Sequence, residues 1–493
     1  MKSWKLAIAG VAISLVISSA SYAAKTDLVL GIVLEPPHLD PTAGAAAAID
    51  EIVYANIFEG LTRIGAKGDV LPALAESWTQ SDDGKVYTFK LHKDVKFHDG
   101  TSFDADDVKF SLDRARGDKS TNAQKGLFAA IDTVDIVDPL TVRVTLKRRS
   151  GDFLYNMAWG DAVIVAPESA GTNKEKPVGT GPFKFDSWAK GSQIVIEKNA
   201  DYWGKPALLD KATFRVIPDP AAATAALLAG DVQAFPVFPS YETIPQFQAD
   251  PRFKVVIGTT EGETVLGMNN KKPPFDNPKV RQAIAHAIDR KSLIDGAMFG
   301  FGTPIGSFFP PHHPAYIDLT AETAYDPELA KKLMAEAGHP DGFKTTLKLP
   351  PPTYARRGGE IIAAELREIG IEAEIIPVEW AQWLDQVFKN KDYDMTIVSH
   401  TEPNDLNIFS RDDYYFNYDS PAFKDLIKQI DATSDGVERT GLYQQAQKLL
   451  AKDVPAAFLF QLPKTGIWDA KIDGLWENGP IQANDLTAVK WLD

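Results

Sequence analysis

The chain contains no cysteine. That excludes disulfide bridges, thiolate metal sites and thiol nucleophiles together, and it leaves the redox compartment open. Positive charge is also scarce: 52 Lys and Arg stand against 67 Asp and Glu, for a formal charge of −15. An acidic chain argues against nucleic acid as a partner, because phosphate binding asks for a basic face. The motifs of catalysis are missing too. G-x-S-x-G, H-E-x-x-H and G-x-x-x-x-G-K-[ST] do not occur. Of the eight histidines only His312 and His313 are adjacent, and they are read as part of a solvated, Pro-flanked loop. No spacing of acids singles out a glycosidase pair. The missing motifs argue mildly against catalysis, and the chain is expected not to be an enzyme and to carry no metal; a cofactor is likewise not expected.

Long apolar runs are confined to the N-terminus. Lys2 and Lys5 precede the apolar stretch Leu6 to Ile17, and Ser21-Tyr22-Ala23 offers a small-residue cleavage site. The apolar stretch is too short to span about 30 Å of hydrocarbon. Residues 1–23 are expected to be a signal peptide, cleaved after Ala23. The exported product is expected in the periplasm, with no cysteine there to carry a lipid anchor.

At 493 residues the chain is too long for one core, and two or three domains are expected. The stretch Leu71 to Arg114 has the clearest local physics. Tyr87, Phe89 and Leu91 share one face at period two, Val95 and Phe97 keep that parity, and Lys90 and Lys96 take the other face. This reads as a half-buried strand pair, with a turn at Asp99-Gly100. A helix follows, with Asp104 as N-cap, Asp107 at N3, Phe103 stapled onto Val108 and Gly117 as the stop.

Elsewhere the alternation is informative. Leu28 to Val33 reads as a strand, ended by the Pro-rich loop Leu34 to Pro41, and Ala45 to Leu61 reads as a helix. Phe343–Leu349, Arg356–Ile369, Ile371–Val378, Trp380–Phe388 and Tyr393–Ser399 alternate as βαβαβ, which implies parallel strands. Ligands sit beyond the carboxyl ends of such strands. Pro350–Tyr354 and Ser399–Asp405 become candidate binding segments, together with Leu34 to Pro41.

The order of motifs adds a resemblance. LAESW at 74–78, DDGK at 82–85, YTFKL at 87–91, VKFHDG at 95–100 and DDVKFSLDR at 106–114 run as in the family-5 extracellular solute-binding proteins. KPVGTGPFK at 176–184 and NKKPPFDNPKVRQAIAHAIDRKSL at 270–293 resemble the same family. These are peptide- and nickel-type binding proteins of ABC importers. The resemblance implies a three-domain α/β periplasmic binding protein, with two lobes around a ligand cleft. It divides the chain into a discontinuous first domain (25–68, 184–268 and 470–493), an inserted second domain (69–183) and a third (269–469). It implies closure on a ligand through the crossings near Gly179–Pro182 and Asn269–Asn277, and docking of the closed form, expected as a monomer, on an ABC permease in the inner membrane.

The expected ligand is a small molecule or oligopeptide, most simply a short peptide. An opine, an oligosaccharide or a nickel chelate is the alternative, and a periplasmic enzyme or a receptor on the same scaffold is a further one. The binding segment runs from Ser399 to Phe416. It gathers His400, Glu402, Asp405, Arg411, Tyr414 and Tyr415, and rings beside charges suit a polar organic ligand. In peptide-binding relatives this region carries an aspartate for the ligand's amino group, near a Trp. Here His400 stands in the place of the Trp, and the acids are Glu402 and Asp405. From the first domain, His38 and Tyr241 are candidates to reach the cleft.

Overall fold

In the computed structural model the described residues are 25–44, 46–402, 405–433 and 436–492. The signal-peptide reading of residues 1–23 therefore lies outside them. Three large sheets organise the chain. A seven-stranded sheet runs Phe253–Gly258, Lys464–Asp469, Ala234–Phe235, Asp27–Ile32, Lys211–Val216, Gln193–Lys198 and Phe183–Ala189. Asp27–Ile32 is parallel to both of its neighbours. A six-stranded sheet runs Thr303–Pro304, Ala456–Gln461, Glu263–Met268, Met395–His400, Phe343–Leu349 and Ile371–Pro377. The βαβαβ expectation holds there: Phe343–Leu349 is parallel to Ile371–Pro377 on one side and to Met395–His400 on the other.

The third sheet is antiparallel, in the order Ala75–Gln80, Val86–Leu91, Thr141–Leu146 and Ile131–Asp138. Helix Ala105–Arg116 covers it. Its capping box forms as expected: the Asp104 carboxylate accepts the Asp106 N–H at 2.8 Å, and Asp107 accepts the Asp104 N–H at 2.9 Å. Val108 and Leu112 are buried against Phe89 and Val142 in one core. Val95 and Phe97 are buried too, but from a loop, so the strand ends at Leu91.

Four expectations need correction. The helix expected to reach Leu61 ends at Val53. Ala55 takes a left-handed φ of 58°, and the Asn56 side chain caps the end by donating to Ile52 O at 2.9 Å. Two strands also change lobes. Glu263–Met268, expected with the first domain, lies in the six-stranded sheet, and Lys464–Asp469, expected in the third, lies in the seven-stranded one. Both are almost wholly buried, and only long-range pairing decides their sheet.

The crossings between these sheets are therefore Gly258 to Glu263 and Gln461 to Lys464. Asn269–Asn277 crosses nothing. Its Asn269 N–H donates to Asp394 O within the six-stranded lobe, and Asn277 caps helix Pro278–His286. The Gly179–Pro182 crossing exists, but it is a tight seam. A Cβ on Gly179 would stand 1.9 Å from Ile57 O, and one on Gly181 2.4 Å from Asn56 O. Beside it, buried Glu59 accepts from the Thr180 hydroxyl, the Tyr202 hydroxyl and Trp203 Nε1 at 2.7–2.9 Å. The seam fixes the four-stranded unit onto the seven-stranded lobe.

Candidate functional site

A cavity of about 280 Å³ lies between the two larger lobes. All three loops chosen by topology reach it, through Val33 and Leu34, Pro352 to Tyr354, and Ser399 to Glu402. Contacts span the lobes around it. Gln482 Nε2 donates to the Thr401 hydroxyl at 2.8 Å, and Arg357 pairs with Glu242 at 3.2 Å. At the outer rim Arg148 pairs with Asp431 at 2.8 Å, and the well-buried Arg439 pairs with Asp152.

The centre of the six-stranded wall is His400, 6% exposed at the carboxyl end of its strand. Its Nε2 lies 2.8 Å from the Tyr415 hydroxyl, and its Nδ1 lies 3.3 Å from the Tyr414 hydroxyl. Glu402 Oε2 accepts the Thr401 N–H at 3.1 Å and lies 3.9 Å from His400 Nδ1. Burial alone would push the Glu402 carboxyl up, but His400 together with the backbone N–H groups of Glu402 and Thr401 brings the group below the ordinary range. Asp405 is pushed well above that range by burial and by Glu402, against the pull of Arg411. Its Oδ2 is buried without a hydrogen-bond partner among the described residues.

Of the expected residues, His400, Glu402, Arg411, Tyr414 and Tyr241 line the cavity. Asp405 and Tyr415 stand behind the wall, Tyr415 fully buried. His38 does not line it. Its ring packs over Gly44, where a Cβ would come within 2.7 Å, and its Nδ1 accepts the Asp40 N–H at 3.3 Å. His312 is not simply solvated either: Nε2 lies 2.7 Å from Glu261 Oε1, and Nδ1 accepts from Gln461 Nε2 at 2.9 Å.

Several lining residues escape a reading of the sequence. Trp380 and Trp383 stack with centroids 5.1 Å apart and planes at 6°, forming an apolar shelf. Glu51 and Lys464 line the seven-stranded side. Asp50 and Asp161, on that side too, are electrostatically tied to Glu402. Burial first, then Asp161 and Glu402, pushes Asp50 well up; burial and then Glu402 push Asp161 up to about 8. The available signal was an isolated charge in an apolar run, as with Lys464 in AAFLFQLPKTGIW. His400, Glu402 and Asp405 also bring one donor atom each within 4.8 Å of one another. Such a set suits a borderline cation, though the tyrosine hydroxyls already engage both ring nitrogens of His400.

Two lobes joined by paired crossings, with a cavity between them and charges on both walls, define a bilobal solute-binding protein. The family model "Bacterial extracellular solute-binding proteins, family 5 Middle" matches residues 69–429, and the chain belongs to that family. It is 30% identical to the glutathione-binding protein GsiB of Escherichia coli K12, over 95% of this chain and 94% of that one. The periplasmic binding protein DppA of Helicobacter pylori, in complex with the peptide STSA, superposes with a TM-score of 0.88 at 30% identity, covering 95% and 99% of the two chains. The binding protein AgaA with agropinic acid, from A. tumefaciens R10, gives 0.87 at 28%, covering 95% and 99%. Among the described residues no helix is long and apolar enough to cross a membrane.

Proposed function

We propose that the protein is the exported, periplasmic binding component of an ABC importer and that its cleft takes a short peptide or a peptide-like solute. One observation carries the reading: Glu402, with His400 beside it, stands at the cavity wall at the carboxyl end of a parallel strand. A carboxylate held ionised there suits the amino group of a solute. The cavity volume is near the low end of the ~300–1,000 Å³ of ligand pockets, which favours a small solute over a long peptide. The stacked Trp380 and Trp383 add apolar contact area. The lobes close on the solute by bending at Gly258–Glu263 and Gln461–Lys464, and the closed monomer docks on a membrane permease.

An amino-acid conjugate of the opine type is the second reading, favoured by the likeness to AgaA with agropinic acid. Mass spectrometry of solute retained by natively purified protein separates the two. A retained peptide supports the first, a retained sugar–amino acid conjugate the second, and a solute that is neither overturns both.

A further inference from the structure

Lys464 opens the strand Lys464–Asp469, one residue after Pro463 in the second crossing. The residue is 4% exposed, and it lines the cavity. Its ammonium makes no hydrogen bond and no ion pair among the described residues. A lysine so buried is ordinarily paired, because an uncompensated charge out of water is costly. The structure fills the space around its stem but gives its head no hydrogen bond, with Glu51 acting on it only through space: Gly479 packs against the side chain, 3.7 Å from its Cδ to a Cβ built there. We propose that Lys464 is the receptor in the cleft for a carboxylate of the bound solute.

The inference rests on the reading of the cavity as a solute site and adds the second pole of the ligand. Burial lowers the Lys464 ammonium to about 8, while Glu51 pulls the other way, so the group is mostly charged at neutral pH. It faces the cavity from the seven-stranded lobe, and Glu402 faces it from the six-stranded lobe. A solute with an ammonium at Glu402 and a carboxylate at Lys464 spans the two walls and satisfies both.

The test uses the full mature protein stripped of solute by unfolding and refolding. The probe is a mixture of glutathione and the di- and tripeptides of a casein hydrolysate, offered as free acids and after methyl esterification. Retained species are counted by native mass spectrometry. Wild type is expected to prefer free acids over esters by at least about 30-fold, Lys464→Met to lose that preference, and Lys464→Arg to keep most of it. The wild-type comparison needs no variant, so a poorly folding Lys464→Met leaves the test intact. If wild type retains acids and esters alike, or Lys464→Met keeps the preference, the Lys464 assignment is wrong while the solute site stands. If wild type retains nothing from either mixture, the peptide reading of the cleft falls and the assignment falls with it.

Discussion

The Glu402 carboxylate lies 3.9 Å from Nδ1 of His400, at the carboxyl end of a strand that runs parallel to one of its neighbours. His400 and the backbone N–H groups of Thr401 and Glu402 favour the ionised carboxylate against the effect of burial. If the solute's cationic group is desolvated against it, Glu402→Gln leaves that group without its partner. Affinity is expected to fall by about 2–5 kcal/mol. An acid at a solvated edge would cost less than about 1 kcal/mol. Calorimetry with the co-purified solute reads the difference, provided the solute-free variant melts where wild type does. An unchanged dissociation constant removes Glu402 from the site.

Asp161 gives a pH dependence. Its folded pKa of about 8 stands above the value of about 3.9 for an unfolded aspartate. The folded state therefore holds a proton that the unfolded chain has released. The resulting stability is full below about pH 4 and is lost as pH rises towards 8. Asp50 shifts in the same direction. The melting temperature of the solute-free protein is expected to fall between pH 5 and 8.5, with a shallower slope in Asp161→Asn. An identical slope in the variant would assign the effect elsewhere.

Gly179→Ala tests the seam between the four-stranded unit and its lobe. The new methyl would stand 1.9 Å from the backbone oxygen of Ile57, which cannot rotate away. Overpacking of this kind costs about 1–3 kcal/mol or more. A lower melting temperature is expected, and a wild-type value would show that the seam yields.

Solute binding is expected to reduce the radius of gyration measured by small-angle scattering. Hydrogen exchange should change at the amides of Thr259–Gly262 and Leu462 and stay constant at those of Asn269–Asn277, which is held within one lobe. Saturation without compaction counts against closure.

Export is checked by N-terminal sequencing of protein recovered from the periplasm. A start near Ala24 is expected, and a retained Met1 rejects the processing site.

Much of this was readable in advance because it is local. The cap of helix Ala105–Arg116 needs only Asp104 and Asp107, and the loops that reach the cavity need only the rule about carboxyl ends of parallel strands. Lobe membership was not readable for Glu263–Met268 and Lys464–Asp469, since partners some two hundred residues away settle it. His38 shows the same limit at the scale of one side chain: its loop reaches the cavity, but the ring turns to Gly44. Asp50, Asp161 and Lys464 are single ionisable residues far apart in sequence, and only the folded chain brings Lys464 to the cavity and the two aspartates within electrostatic reach of Glu402.

The two crossings are not independent strings. Gly258 is registered with Lys464 on one side, and Glu263 with Gln461 on the other. Together they form one narrow antiparallel ribbon passing from sheet to sheet. Such a ribbon behaves as a leaf spring. It flexes about an axis across its width and resists sliding, because sliding would break the register of paired backbone bonds at both ends. The lobes are thus expected to have one soft direction of travel, so that closure would grip whatever lies between them from opposite sides along a reproducible path.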